Sequence, residues 1–275
     1  MTSSPSVSTS SLQRDLELAL QLADAAAETS LSRFQALDLE VMTKPDRSPV
    51  TDADRATEQA IRSLLAEHRP EDAIFGEEFE AVESQNNRQW IIDPIDGTAN
   101  FLRGNPIWGT LIALAVDGYP VLGVASLPAL GRRFWAAKGL GSWSTNALLS
   151  PNAAPKRSQV SGVHNIADAA ISFPRMNGWI DAGYSAEALQ LNSEAWRTVG
   201  GSDLWSFCLV AEGVADAVIE FDLQPYDIAA LIPIVEEAGG YFSGIHGDKG
   251  QNQSDVIAST PGLHQDLISR FDAKN

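Results

Sequence analysis

The sequence predicts an α+β half followed by an α/β half, and three observations carry that expectation. Two segments with helical spacing open the chain and are followed by a run of short strand-like segments. Beyond a polar stretch near Ser150–Ser161, strand-like and helix-like segments alternate. The chain has 275 residues, 44% hydrophobic and 20% charged, enough for a large core shared by two closely packed lobes. The expected division is a single domain over 12–275, with lobes at about 12–150 and 151–275.

The opening, "MTSSPSVSTSS", is Ser/Thr-rich with no hydrophobic signal core, so residues 1–11 read as a disordered arm rather than a secretory signal. From Leu12 to Phe34, apolar residues recur at Leu12, Leu16, Ala19, Leu20, Ala23, Ala27, Leu31 and Phe34, the spacing of one helix face. "KPDRSPVTDAD" (Lys44 to Asp54) breaks the pattern with two prolines, and a second helix is expected from about Asp54 to Glu67, capped by Thr51 or Asp52. Strands are expected at Ala73–Phe75, Gln89–Ile92, Thr110–Val116, Val121–Ser126 and Arg133–Ala137, with Asp117-Gly118 as a hairpin turn. In the second half the reading is a strand at Ala169–Phe173, helices at Ala186–Leu191 and Ser202–Glu212, and a strand at Ala217–Glu220. A helix from Asp227 to Ala238 ends at Gly239-Gly240, followed by a strand at Val256–Ser259 and a helix at Leu263–Phe271.

Charge and composition exclude several classes. The formal net charge is −17, and no Lys/Arg-rich run exists, which argues against nucleic acid as a partner. An anionic substrate would need a counter-charge, and a divalent cation is the obvious candidate. No stretch approaches the ~18 consecutive apolar residues of a membrane span. The single cysteine, Cys208, cannot form a disulfide within the chain, which suits a reducing cytoplasm; its apolar surroundings, "WSFCLVAEG", read as core rather than nucleophile. His68, His164, His246 and His264 have no zinc-ligand spacing, and P-loop or Gly-x-Gly-x-x-Gly signatures are absent.

The chemistry concentrates in the acids. In "WIIDPIDGTANF" (Trp90 to Phe101), an apolar strand ends in Asp93 and Asp96, stiffened by Pro94 and released by Gly97. Thr98 can start a helix whose free N–H groups face an anion. Two carboxylates this close repel unless a cation lies between them; the bland alternative is an Asx-turn with a helix cap. Glu77 and Glu78 follow the strand-like "AIFG", and Asp227 opens an amphipathic helix. Singly, these read equally as a solvated loop and an N-cap. Together, acids at the ends of several apolar elements can converge into the oxygen-lined site that magnesium prefers.

On these residues the chain resembles the inositol monophosphatase superfamily of magnesium-dependent phosphatases. The matching stretches are Gly76-Glu77-Glu78, "DPIDGTANF" (Asp93 to Phe101), "YDIAALIPIVEEAGG" (Tyr226 to Gly240) and "SPVTDAD" (Ser48 to Asp54). Within it, "SLPALGRRFWAAKG" and "SFCLVAEGVAD" look most like the actinobacterial-type histidinol-phosphate phosphatases. The departures are Ser202 for a glycine, Leu204 for an aromatic and Tyr226 for a tryptophan. The resemblance implies a layered αβαβα sandwich and a homodimer. It implies that Glu77, Asp93, the carbonyl of Ile95, Asp96 and Asp227 hold two or three Mg2+ ions, with Asp54 helping to hold a weaker one. Asp96, Gly97 and Thr98 would bind phosphate, while Glu77, Thr98 and Asp54 serve the attacking water.

The expected substrate is a small phosphate monoester, L-histidinol phosphate, with Asp203, Glu220, Arg197 and Asp227 as substrate residues. Inositol phosphatases carry small neutral residues where this chain has Asp203, and an acid there favours an ammonium-bearing substrate. Asp203 also admits the plainer role of helix N-cap. The alternatives are an inositol-1-phosphate or broad sugar-phosphate phosphatase, and a non-catalytic metal-dependent scaffold, which would be expected to have lost these acids.

Overall fold

In the computed structural model, residues 8–43, 49–150 and 154–272 are described. Helix α1 (Thr9–Arg33) is capped by the Ser8 side chain. Residues 8–11 of the expected arm therefore belong to this helix and its cap, and residues 1–7 lie outside the described residues, as do Lys44–Ser48 of the two-proline segment. Strands β1 (Val41–Thr43) and β2 (Pro49–Thr51) form a small antiparallel ribbon that leads into α2 (Asp52–His68). Thr51 is the cap: its hydroxyl receives the Ala53 and Asp54 N–H groups, and Asp54 reaches back to the Thr51 N–H.

The first large sheet contains β3 (Ala73–Gly76), β4 (Arg88–Asp96), β5 (Gly109–Val116), β6 (Tyr119–Leu127), β7 (Arg132–Ala137), β8 (Gly141–Asn146) and β9 (Lys156–Arg157), in that spatial order. Short helix α3 (Thr98–Leu102) follows β4. Only β3 and β4 run parallel; the other pairs are antiparallel. The Asp117-Gly118 turn has both φ values positive, 51° and 74°, which matches the twist of a tight hairpin. Strands β8 and β9, which sequence reading omits, extend this sheet past residue 150.

The second half contributes β10 (Ala170–Ser172), α4 (Met176–Asp181), α5 (Ser185–Glu194), β11 (Arg197–Val199), α6 (Asp203–Ala211) and β12 (Ala217–Glu220). It continues through α7 (Pro225–Ile228), α8 (Leu231–Glu236), β13 (Tyr241–Gly244), β14 (Val256–Ser259) and α9 (Pro261–Asp272). The five strands are ordered β11-β10-β12-β14-β13; β10 is parallel to both neighbours, and the other pairs are antiparallel. The single helix expected over Asp227–Ala238 is divided into α7 and α8. Pro233 is the physical reason: it has no N–H to give the Ala229 carbonyl, and its ring crowds that carbonyl.

Alternation within the strands builds the layers. In β4 and β5, Trp90, Ile92, Ile112 and Leu114 pack against α1 and α2 with Leu16, Leu22 and Ile61. Ile91, Leu111 and Ala113 point the other way, toward Phe207 of α6 and Ile232 of α8. In β12, Val218 joins that central layer, while Ala217 and Ile219 meet Trp179, Leu267 and Phe271 outside. Both sheets are thus covered on two faces, and the order of layers is αβαβα. Among the described residues no helix is long and apolar enough to cross a membrane.

Candidate active site

Strand β4 delivers its acids where its pairing with β5 slips. Residues three apart on a regular strand face opposite sides, but the register shifts between Asp93 and Asp96. Pro94 sits in the shift, and its carbonyl accepts the Thr110 hydroxyl at 2.8 Å. The irregularity lets both carboxylates face one cleft, where Asp227, from the first turn of α7, joins them. One oxygen of each lies within 4.8 Å of the others. Asp227 is not the N-cap of α7: Gln224 takes that position, and Asp227 accepts its N–H at 2.7 Å.

The cleft has a volume of about 680 Å³, ample for a small phosphate ester. Glu77, Asp93, Ile95, Asp96, Gly97, Thr98, Asp203, Glu220 and Asp227 all line it, so most of the expected site residues come together. Gly97 begins α3 at φ 83°, and a Cβ there would also lie 3.1 Å from Asp203 Oδ2 and 3.3 Å from the Ile107 carbonyl. The first N–H groups of α3 have no carbonyl within their own helix, and Gly97, Thr98 and Ala99 present this turn to the cleft. Asp54 stands behind this layer, fully buried, accepting the Thr98 hydroxyl at 3.1 Å; the Ile95 carbonyl offers that hydroxyl an alternative at 3.0 Å.

Electrostatics mark the cleft as a cation site. Burial first, and then the charges of Glu77 and Asp96, push Asp93 well above the ordinary aspartate range. Asp96 is pushed up by burial and by Asp203 and Asp227. Burial raises Asp227 to about 6 against the lowering effect of its bond from Gln224. Buried Asp93 Oδ1 has no hydrogen-bond partner. An orphaned carboxylate oxygen among mutually repelling acids fits a hard divalent cation, which supplies the missing partner and reverses the repulsion. Among the described residues this is the one acidic group with ligand atoms so gathered.

The second half supplies further acids to the cleft. Glu220, at the end of β12, is 2% exposed; its Oε2 has no partner, and burial, then the Asp203 charge, raises it to about 8. Asp203 accepts Asn100 Nδ2 at 3.0 Å and adopts φ 50°, a left-handed conformation that Asp and Asn tolerate best. Ser202, not Asp203, is the N-cap of α6, and the Leu204 N–H reaches across to Asp96 Oδ2 at 2.6 Å. The start of α6 is therefore tied directly to the acid pair of β4.

Arg197 is the correction. It lies on edge strand β11, exposed beside Trp196, and is not among the cleft residues of this chain. Arg175, which sequence reading missed, is the only basic side chain among the described residues that line the cleft. Its guanidinium is 3.8 Å from Asp222 and opposes the upward shifts of Asp203, Glu220 and Asp227. Its loop carries no periodicity that would have singled it out. Cys208 is buried in the core, as expected, and burial raises its thiol pKa, the reverse of a nucleophile's.

The chain belongs to a phosphatase family: residues 11–274 match the inositol monophosphatase family. It is 44% identical to a histidinol-phosphatase of Mycobacterium tuberculosis over 94% of this chain and 98% of that one. It is 45% identical to a histidinol-phosphatase of Streptomyces coelicolor, over 92% and 95% of the two chains. An inositol monophosphatase structure from Zymomonas mobilis superposes with a TM-score of 0.81 at 33% identity, covering 97% of this chain and all of that one.

Proposed function

We propose that this chain is a magnesium-dependent phosphomonoesterase that hydrolyses L-histidinol phosphate to L-histidinol and inorganic phosphate, for histidine biosynthesis in the cytoplasm. The observation that carries it is one cleft lined both by a cation-type acid cluster, Asp93, Asp96 and Asp227, and by two further buried acids, Asp203 and Glu220. The high identity to histidinol-phosphatases over nearly the whole chain supports the same substrate. The active species is a homodimer.

Glu77, Asp93, the Ile95 carbonyl, Asp96 and Asp227, which all line the cleft, would hold two or three Mg2+ ions. Bound Mg2+ supplies charge neutralisation at the phosphoryl oxygens and a lowered pKa for water. The first turn of α3 holds phosphate oxygens through the Gly97 and Thr98 N–H groups. Asp54 accepts the Thr98 hydroxyl proton, which leaves a Thr98 lone pair to accept a hydrogen bond from the attacking water. Glu77 takes the other hydrogen of that water. As the water oxygen bonds to phosphorus, the P–O bond to the alcohol breaks, and the departing oxygen takes a proton from solvent, which balances the one that Glu77 removes from the attacking water. Asp203 and Glu220 receive the substrate ammonium, a charge-assisted contact that a neutral polyol phosphate cannot offer.

The test is phosphate release from L-histidinol phosphate, measured with Mg2+, with excess chelator, and in Asp93→Asn. The expected result is turnover with Mg2+ only, and near-complete loss in the variant. Normal turnover by Asp93→Asn at saturating Mg2+ would refute the cation assignment.

A further inference from the structure

One buried acid lies just outside the cleft and faces the loop that carries Glu77. Glu58 stands one helical turn after Asp54 on α2, and both are fully buried. Its two oxygens have separate duties. Oε1 accepts Arg62 Nε at 2.7 Å, and Oε2 accepts the Glu78 N–H at 2.8 Å. Arg62 continues the chain of contacts, donating to the Phe79 carbonyl at 3.2 Å with its guanidinium 5.6 Å from the centre of the Phe79 ring. The end of β3 runs directly over the carboxylate, so that a Cβ on Gly76 would lie 2.1 Å from Oε1. Glu77 is thus gripped from both sides. Its own N–H bonds to the Ile92 carbonyl at 3.2 Å, and the next N–H bonds to Glu58.

A buried charge is costly unless it is paired and hydrogen-bonded, and here both conditions hold. Burial raises the Glu58 pKa, while the Glu78 N–H and Arg62 pull it down. The ion pair anchors the loop without adding net charge beside Glu77 and Asp93. An apolar side chain of the same size would offer the Glu78 N–H no acceptor.

We propose that the Glu58–Arg62 pair is a positioning element that fixes the Glu77 loop, so that Glu77 meets the divalent cation in one geometry. The proposal rests on the metal-dependent reading above. Partners that orient a metal ligand typically contribute 10- to 100-fold in metal affinity. Glu58→Gln keeps the size but can accept at only one atom, so it loses one of the two bonds; Glu58→Ala loses both.

The test is cation binding without substrate, by calorimetry with Mg2+ and by Mn2+ electron paramagnetic resonance, together with amide exchange at Glu78. Glu58→Gln is expected to raise the dissociation constant about 10- to 100-fold. In a Glu77→Gln background the same change should cost under about 2-fold, because the ligand it serves is gone. Arg62→Met, which keeps Glu58, should loosen the loop as well, and Glu78 exchange should quicken in Glu58→Ala. Equal cation affinity in Glu58→Gln and the parent protein would overturn the proposal. So would equal losses in both backgrounds, which would mean that Glu58 supports the fold generally. Absence of cation binding by the parent protein would refute the metal reading itself, and unchanged Glu78 exchange in Glu58→Ala would separately refute the anchoring.

Discussion

Glu220→Gln should stabilise the metal-free protein and weaken the enzyme. Glu220 is almost fully buried, has an oxygen with no partner, and is raised from 4.5 to about 8 by burial and by Asp203. Its folded pKa lies above its unfolded one, so the folded state holds the extra proton between these values. Stability therefore falls as pH rises from 4.5 to 8. At pH 7 the difference from 4.5 is 2.5 pH units, or about 3 kcal/mol at 1.36 kcal/mol per unit. Glutamine has the same shape and no charge, so denaturation in chelator at pH 7 should show a gain of up to about 3 kcal/mol that shrinks toward pH 5. Turnover should move the other way. The bound ammonium favours the ionised form of Glu220, which Gln cannot supply, and loss of that charge-assisted bond of roughly 1.5–3 kcal/mol lowers kcat/KM for L-histidinol phosphate about 10- to 150-fold. A variant less stable than the parent at pH 7 would mean that Glu220 is a well-paired structural acid. Unchanged kcat/KM would remove it from the ammonium pocket.

Asp203→Asn keeps the left-handed backbone and an oxygen for Asn100, so it should lower kcat/KM for L-histidinol phosphate about 10- to 150-fold yet hardly affect glycerol phosphate; equal losses would make Asp203 a general support. On the proposed role of the Thr98–Asp54 bond in orienting the water, Thr98→Ala should reduce kcat far more than KM; a change in KM alone would make Thr98 a phosphate ligand only. His264 sits between the Ser243 and Ser259 hydroxyls, and burial lowers it from 6.5 to about 4. Its unfolded pKa is the higher one, so stability should be lost as pH falls from 6.5 to 4, by up to about 3 kcal/mol. Denaturation curves at pH 7 and 4.5 should converge in His264→Gln; an equal acid loss in that variant would place the effect elsewhere.

The layers and the clustered acids of the cleft were legible because each rests on a local signal. Asp93 follows Trp90-Ile91-Ile92, a strand with both faces buried, and no core position tolerates an uncompensated pair of acids. Glu58 was hidden because an acid on an amphipathic helix reads as solvent-facing, like Glu67 on the same helix; only the passage of Gly76 over it reveals burial. Arg175 was hidden because its loop joins the cleft through a long-range return of the chain, not through spacing. Strands β8 and β13 are short and rich in Gly and Ser, without the β-branched alternation that marks a strand, and antiparallel pairing with β7 and β14 holds them. The division into α7 and α8 was readable at Pro233, but the apolar periodicity on both sides of it argued for one helix.

The most direct measurement is the ratio of kcat/KM for L-histidinol phosphate to that for inositol-1-phosphate, with Mg2+ and in the same buffer. An acidic pocket holding an ammonium predicts a ratio of at least about 10, falling toward 1 in a combined Asp203→Asn, Glu220→Gln variant. A ratio below 1 in the parent protein, or one that the combined variant leaves unchanged, would contradict the assignment of substrate to this cleft.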